Sequence, residues 1–345
     1  MPPPPRPNWA DLPPELVSCI AARLKALRCY IAARGVCAAW RSALVPAASP
    51  YALRVRRECV RGRVMAASLP LRRSFHLSTI PCYGRCVGSS GGWLAVEHYH
   101  PTRGIVLLNP LTGRDLKLVL RSFPPPHRIV FTPNPSEDDF TAVATWVSGP
   151  KLLAYVSARG AACPCSFEEI TVDTAVVDVV YHAAAAGSGG GKFYCLFKTG
   201  EVRVLRVPRG LQTKPALEPL FAGAPSDPAA IFAPPYTELN EHTLDKHLVV
   251  CEGDMYQIWR KTGGAMDLQL PGGASLHVSR NEVFVLRYAP ARRPCWEAAE
   301  DLGGHSVFIE VYAVPSFVGS RCRLVLFGRF KEQLKQTEEF CINNL

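Results

Sequence analysis

The sequence contains no long apolar run. No segment approaches 18 apolar residues without a charged residue, so no membrane-spanning helix is predicted. The first residues also lack the apolar stretch of a secretory signal, because Asp11 and Glu15 appear early. We therefore expect no association with a membrane.

A dense cysteine framework is also missing. The 13 cysteines are odd in number and scattered singly along the chain. Most are expected to be small buried residues with free thiols, as in a protein of the nucleus or the cytoplasm. Cys82 with Cys86, and Cys163 with Cys165, do not form two short knuckles at matching spacing. No zinc site is predicted from them.

Net positive charge is absent from most of the chain, although the formal net charge is +10. Residues 1–75 hold 13 basic and three acidic residues, and the remainder is balanced with 26 of each. Seven arginines cluster between Arg54 and Arg73. One interpretation is a stripe that binds nucleic-acid phosphates. A solvated linker is favoured, since no aromatic residue interleaves the arginines to stack a base.

Signals for long helices are missing beyond residue 48. The chain has 31 prolines and 26 glycines, which is typical of a turn-rich all-β protein. About 265 residues of short strands suit five or six blades of roughly 45 residues better than one sandwich. Strands are predicted at residues 93–97, 105–109, 129–132, 140–147, 151–157, 166–172, 176–182, 193–198, 202–207, 248–252, 255–260, 275–279, 283–288, 306–314 and 323–327.

Residues 9–48 have a helical pattern instead. Apolar residues recur every four positions from Leu12 to Leu24, and a second apolar stretch runs from Tyr30 to Leu44. The two prolines after Leu12 suit the first turn of a helix of about a dozen residues. Pro46 ends the last helix of the group. The predicted division is a disordered leader at 1–8, helices at 9–48, a basic, partly helical connector at 49–70, a β domain at 71–328 and a divergent tail at 329–345.

The helical segment resembles the F-box, which has a Leu-Pro start, an apolar helix and a Val-Cys-x-x-Trp-Arg end. By the resemblance, the side chains that bind a Skp1-like adaptor are Leu12, Pro13, Glu15, Leu16, Ile20, Leu24, Val36, Cys37, Trp40 and Arg41. Cys29 departs from the family, which often has an acidic residue before its second helix. The alternative is that the same residues form a helical cap on the β domain, with Trp40 as its core anchor. A unit this short needs either a partner or the following domain to be stable.

The remainder resembles a plant F-box family whose C-terminal domain, formerly catalogued as a domain of unknown function, is regarded as a β-propeller. The resemblance runs through CVGSSGGWLAV, LLNPLTG, LVVCEGDMYQIWR and LGGHSVFI in that order. It implies an α+β multidomain protein with a three-helix F-box followed by a propeller. The tail departs from the family and residues 330–340 read as a short amphipathic helix, so an incomplete last blade is expected.

No catalytic, cofactor-binding or metal-binding residue is predicted. The run from Gly187 to Lys192 lacks the first glycine and the Ser or Thr of a phosphate loop, and Gly-x-Ser-x-Gly is absent. His242 and His247 are interpreted as part of a solvated polar loop. Six ionisable residues could meet near a propeller axis, although the sequence does not show that they do: Asp173, Asp178, His182, Glu252, Asp254 and His305.

The function expected from the resemblance is a non-enzymatic substrate receptor of a Skp1–cullin–F-box ubiquitin ligase. The helices would bind the adaptor, and through it a cullin, while the propeller binds a target protein. Three alternatives remain open: a nucleic-acid-associated protein that uses the arginines from Arg54 to Arg73, a propeller-based enzyme, and a degenerate copy without function.

Overall fold

A computed structural model describes most of the chain between residues 8 and 327. The described residues are 8–46, 51–56, 63–68, 71–77, 86–98, 104–120, 123–146, 152–159, 167–183, 191–207, 214–220, 231–251, 253–299, 307–310 and 324–327. The predicted leader, the predicted helix at 330–340 and the expected incomplete closure of the last blade fall largely outside these ranges. Within them, no helix is long and apolar enough to cross a membrane.

Three short α-helices follow a single 3-10 turn at Trp9–Asp11, as the apolar pattern predicts. They are α1 (Pro14–Arg23), α2 (Leu27–Arg34) and α3 (Ala38–Ala43). Pro14 stands in the first turn of α1, where a missing N–H leaves no bond unmade. The thiol of Cys37 caps α3 by accepting a hydrogen bond from the Trp40 backbone N–H at 3.5 Å.

The remainder of the described chain is almost entirely β-structure. The strands up to the middle of the chain are β1 (Tyr51–Arg56), β2 (Arg63–Ser68), β3 (Arg73–Leu77), β4 (Cys86–Ser90), β5 (Trp93–His98), β6 (Gly104–Leu108), β7 (Asp115–Val119), β8 (Arg128–Phe131), β9 (Asp139–Thr145), β10 (Leu152–Arg159), β11 (Glu168–Thr171) and β12 (Val176–His182). The later strands are β13 (Lys192–Phe197), β14 (Val202–Arg206), β15 (Ala216–Pro219), β16 (Asp245–Cys251), β17 (Asp254–Arg260), β18 (Met266–Gln269), β19 (Ser275–Val278), β20 (Val283–Tyr288), β21 (Trp296–Ala298), β22 (Val307–Glu310) and β23 (Leu324–Phe327), with α4 (Tyr236–His242) between β15 and β16. All fifteen strands predicted from the sequence are confirmed.

The strands form successive antiparallel sheets, so the chain has a β-propeller-like domain after its N-terminal helices. Four sheets have four strands, in the orders β4-β5-β6-β7, β11-β10-β9-β8, β12-β13-β14-β15 and β16-β17-β20-β21. The first three follow chain order, as expected for propeller blades. In the fourth, the hairpin β18-β19 is inserted between the second and third strands.

The expectation of a partly helical connector at residues 49–70 is wrong. Strands β1 and β2 lie there and pair with β3 in a three-stranded antiparallel sheet. The sequence of β1 alternates apolar and basic residues at Leu53, Arg54, Val55 and Arg56, and a period of two belongs to a strand. Because the segment has many arginines, it was interpreted as a basic linker and not as a strand.

The chain divides into two compact units, the first comprising residues 1–142 and 156–168. Its helices share one apolar core with the strands that follow them. That core contains Val17, Ala21, Leu27, Tyr30, Ala33, Trp40, Leu44, Phe75, Leu77, Leu94, Val96 and Leu108. The Tyr30 and Phe75 rings lie 5.3 Å apart between centroids. The helices are therefore packed on the β-structure.

The second unit comprises residues 143–155 and 169–345. Its main core surrounds the fully buried Trp259, which meets Phe232 edge to face at 4.9 Å between ring centroids. Leu239 of α4, Leu268 of β18 and Val278 of β19 are buried in the same core. Helix α4 and the inserted hairpin thus cover this blade, and neither α4 nor β18 was predicted from the sequence.

Polar side chains connect the β13–β14 turn to the next blade. Three consecutive backbone carbonyls of the turn each accept a hydrogen bond: Lys198 O from Lys246 Nζ at 2.7 Å, Thr199 O from Asn240 Nδ2 at 2.9 Å and Gly200 O from Gln257 Nε2 at 2.8 Å. Lys246 is 2% exposed and its ammonium lies 5.1 Å from the Trp259 ring centroid. Burial, with a smaller contribution from Lys198, lowers the pKa of Lys246 from 10.5 to about 7.

The backbones of β4 and β8 pack so closely at Gly88 that no side chain fits between them. A Cβ added at Gly88 would lie 1.9 Å from Ile129 O. We predict that Gly88→Ala lowers the free energy of unfolding by about 3 kcal/mol or more, because a rigid carbonyl has to move. Gly264→Ala is the matched control, since an added Cβ there meets nothing within 4 Å. Chemical denaturation of both variants tests this, and equal stabilities would contradict it.

The buried lysine predicts stability that increases with pH. Between about pH 7 and 10.5 the unfolded chain keeps a proton on Lys246 that the folded protein has lost, so raising the pH favours folding. We expect the free energy of unfolding to rise across this window by roughly 3–4 kcal/mol more in the wild type than in Lys246→Met. Denaturation at several pH values measures the difference. If the free energy of unfolding changed with pH in the same way in both proteins, burial would not lower the pKa of Lys246.

Candidate functional site

Exposed large apolar side chains are concentrated in the N-terminal helical segment. Seven such residues occur among those whose side chains the structure describes, and five belong to residues 9–45. The five are Trp9, Leu16, Ile31, Val36 and Val45. Single exposed apolar residues are ordinary on protein surfaces, but a concentration of them marks a surface that contacts another molecule. We call these five residues the apolar set.

Helix α1 shows how the same segment is both core and surface. Val17 and Ala21 are buried at 1% and 2% exposure, whereas the neighbouring Leu16 is 50% exposed. In a helix, adjacent residues point about 100° apart, so one short sequence supplies two apolar faces. One face packs on the β-structure and the other faces solvent.

The ten residues predicted to bind an adaptor fall into three classes of burial. Exposed residues are Pro13, Glu15, Leu16, Val36 and Arg41; half-buried residues that border the core are Leu12, Ile20, Leu24 and Cys37; and Trp40 is buried. The exposed members belong to the start of α1, the turn before α3 and the body of α3. Five of the ten predicted residues are thus exposed, and the other five lie in the core or at its border.

Trp40 is the main support. Its side chain is 8% exposed within the shared core, and its indole Nε1 donates a hydrogen bond to Trp9 O at 2.9 Å. Two further bonds hold the chain after α3: Tyr30 Oη donates to Val45 O at 2.9 Å, and Arg34 Nε donates to Leu44 O at 3.0 Å. These contacts fix the backbone that carries Trp9 and Val45. The F-box resemblance placed Trp40 among the adaptor-binding residues, the alternative was a core anchor, and in the structure Trp40 lies in the core.

Basic residues outnumber acidic ones in the segment that carries the apolar set. Residues 9–46 contain five basic and two acidic residues. Arg23, Lys25, Arg28 and Arg41 are exposed, whereas Arg34 is half-buried. One of the two acids, Asp11, accepts a hydrogen bond from Asn8 Nδ2 at 2.6 Å. The exposed charge of this surface is therefore positive.

The arginines between Arg54 and Arg73 do not all face solvent. Arg73 donates hydrogen bonds to three backbone carbonyls near the end of α1, those of Ala21, Ala22 and Leu24. Arg72 beside it is exposed, and the side chains of Arg54, Arg56, Arg57, Arg61 and Arg63 lie outside the described residues. One end of the predicted phosphate-binding stripe is thus used to hold the helices.

Two of the ionisable residues considered for a propeller axis each pair with an arginine. Asp173 pairs with Arg203 at 3.1 Å, and Asp254 pairs with Arg287 at 2.8 Å. Glu252 and His305 lie outside the described residues, and His182 is exposed. The hydrogen bond from Arg203 is the main cause that lowers the pKa of Asp173. These contacts are ion pairs near the surface of the second unit.

His247 is not in a polar loop as interpreted from the sequence but in strand β16. Its Nε2 lies 2.8 Å from Asp245 Oδ1, and its Nδ1 lies 3.9 Å from Asp178 Oδ2. Asp178 is buried and accepts hydrogen bonds from the backbone N–H groups of Val179 and Leu248. Burial raises the pKa of Asp245, but hydrogen bonds and charges from His247 and Arg260 outweigh it and lower that pKa. The carboxylate of Asp178 in β12 thus joins β16 through the Leu248 N–H.

Metal and nucleophile chemistry gain no support from the described side chains. No group of three or more His, Cys, Asp or Glu in that part of the chain could hold a metal ion. Burial, followed by the charge of Asp178, raises the pKa of the Cys195 thiol to about 12, which disfavours the reactive thiolate. Cys82, Cys163, Cys165 and His100 lie outside the described residues.

Solved structures align with the chain at low similarity. Two crystal structures of BBS1N in complex with ARL6DN align, one soaked with mercury (13% identity, 68% of this chain, 70% of that chain, TM-score 0.29) and one soaked with lead (13%, 82%, 76%, TM-score 0.31). The structure of YCF48 bound to D1 peptide aligns at 11% identity over 78% of this chain and 84% of that chain, with a TM-score of 0.31. No curated protein gives a significant match.

A protein family matches most of the chain. The match begins in strand β2 at residue 66, extends to residue 322 and is described as the KIB1-4 beta-propeller. It covers the strands from β3 to β22 and confirms the propeller part of the sequence-based expectation. The chain belongs to the KIB1-4 beta-propeller family.

Proposed function

We propose that the protein is a substrate receptor of a Skp1–cullin–F-box ubiquitin ligase, whose N-terminal helices dock a Skp1-like adaptor. The observation that carries this proposal is the apolar set, which remains exposed in the same helical segment whose other apolar residues form a packed core. The helices stand in the segment that resembles the F-box, and Leu16 and Val36 are exposed at positions that the resemblance assigns to adaptor contact. The other subunits of such a ligase carry the ubiquitin chemistry.

The charge of the helical surface specifies the partner further. Three exposed basic residues lie on the helices, Arg23 on α1, Arg28 on α2 and Arg41 on α3, and exposed Lys25 lies between α1 and α2. An adaptor surface with an apolar centre and carboxylates around it complements this arrangement. Electrostatic attraction of this kind mainly accelerates association, while apolar burial sets most of the affinity.

The propeller-like domain is proposed to hold the target. A β-propeller fold favours a protein-interaction role, and this family is typically a non-catalytic interaction scaffold. The ion pairs Asp173–Arg203 and Asp254–Arg287 accord with that role, because each carboxylate is already neutralised by a partially exposed arginine. The target protein would add a second interface, distinct from the adaptor surface.

Removal of two exposed apolar side chains should abolish docking without unfolding the protein. We expect Leu16→Ser with Val36→Ser to weaken binding of a purified Skp1-like adaptor by about 100-fold, since central apolar contacts dominate such interfaces. The matched control is Leu244→Ser, which replaces an apolar residue of similar exposure, 59%, beside α4. Titration calorimetry measures the affinities, and thermal unfolding checks that both variants fold. Unchanged affinity in the folded double variant would contradict the proposal.

The positive surface predicts association that depends on salt. Arg28→Glu should slow adaptor association about tenfold at low ionic strength and much less at about 0.5 M salt, because mobile ions screen exposed charges. Arg280→Glu makes the same charge change at an exposed position in the second unit and serves as the control. Stopped-flow or surface binding kinetics give the rates. Equal rates for the two variants would exclude an acidic rim on the partner.

A further inference from the structure

The connection between α1 and α2 is built onto the edge of the first β-sheet. The backbone N–H of His76 donates a hydrogen bond to Lys25 O at 2.8 Å, and Ala26 forms a parallel β-bridge with His76. Because the sheet has the order β1-β2-β3, residues 25–26 lie along the side of β3 that β2 leaves open. The turn that links the two helices thereby extends this sheet.

Arg73 closes the end of α1 from the same strand. Its Nη1 donates to Ala21 O at 2.8 Å, and its Nη2 donates to Ala22 O at 2.7 Å and to Leu24 O at 2.5 Å. The last carbonyls of a helix lack intrahelical donors and carry partial negative charge, so a guanidinium satisfies both their hydrogen-bonding and their electrostatic requirements. No other residue type presents donors across three carbonyls in one rigid plane.

The guanidinium of Arg73 also stacks within the core that joins helices and sheet. Its central carbon lies 4.9 Å from the Phe75 ring centroid and 5.8 Å from that of Tyr30. Phe75 belongs to β3 and Tyr30 to α2, and both are buried beside Val17 of α1. One side chain thus contacts β3, α1 and α2 together.

We propose that Arg73 is the positioning residue of the docking surface: it holds α1 so that Leu16 is presented only while the β1–β3 sheet is folded. This inference rests on the proposed function, because the docking surface is the one assigned above. Arg73 itself faces the carbonyls of α1 and the rings of the core. Adaptor binding and the folding of the first sheet are then linked, and each stabilises the other to the same extent.

The linkage is tested on the full-length chain by amide hydrogen exchange at His76, in β3, and at Leu24, at the end of α1. Arg73→Gln should accelerate exchange at both amides about tenfold, since charged hydrogen bonds to the helix end are lost. Arg72→Gln is the matched control. It removes the same charge at the neighbouring residue, whose side chain is exposed. Equal exchange in the two variants would overturn the positioning role.

A second arm adds a purified Skp1-like adaptor at saturating concentration. In the wild type, the adaptor should slow exchange at His76, which lies on the sheet rather than in the apolar set, by about tenfold or more. In Arg73→Gln, the affinity should fall and the slowing at His76 should be lost even when adaptor saturates the protein. A merely stabilising residue would leave that slowing intact, and this result would overturn the proposal.

The two arms separate the failure of this inference from the failure of the proposed function. If the wild type binds no adaptor, the proposed function fails, and faster exchange in Arg73→Gln still establishes that Arg73 holds α1 to the sheet. If adaptor binds equally to the wild type and to folded Arg73→Gln, the docking function stands and the positioning role is wrong.

Discussion

The apolar core shared by the helices and the first strands is the constraint on which the rest of the structure depends. Three helices of six to ten residues bury too little surface to be stable alone. Val17, Tyr30 and Trp40 instead pack with Phe75 of β3, and the core continues to Leu94 and Val96 of β5. Because this side of the helices is covered within the chain, their other side can stay exposed in the free protein.

Polar contacts complement this core where backbone groups would otherwise be unpaired. Arg73 donates hydrogen bonds to the carbonyls at the end of α1, and the indole of Trp40 donates one to the carbonyl of Trp9. In the second unit, Lys246 and Gln257 do the same for the turn between β13 and β14. A buried polar group stabilises a fold only when it is paired, so these side chains specify how neighbouring elements meet.

Sequence reasoning predicted the element types where the local pattern was strong. Strand β13 contains a short apolar run, Phe193–Phe197, that is followed by a Thr-Gly turn, and α1 follows an apolar period of four. It missed β21 because three residues are too few to show a period, and it misjudged β1 because arginines occupy its polar positions. It missed α4 because Pro234 and Pro235 precede a polar segment that has one buried residue, Leu239. The pattern within one segment does not show which residues elsewhere in the chain pack against it.

The same limit applies to the candidate site. The F-box resemblance selected ten positions, but the separation of exposed Leu16 and Val36 from buried Trp40 depends on Phe75 and Leu77, which lie more than 30 residues later. The role of Arg73 was likewise hidden, since a basic cluster is ordinarily solvated. The site is therefore defined jointly by a motif that sequence comparison can find and by a core that only the folded chain shows.

The most direct measurement of the central claim is the alkylation rate of the Cys19 thiol in the full-length chain, with and without a Skp1-like adaptor. Cys19 is exposed and lies three residues after Leu16, on the same face of α1. The account predicts that bound adaptor slows alkylation of Cys19 strongly while the half-buried Cys251 of β16 reacts at an unchanged rate. A rate at Cys19 that the adaptor leaves unchanged, under conditions where a complex forms, would contradict it.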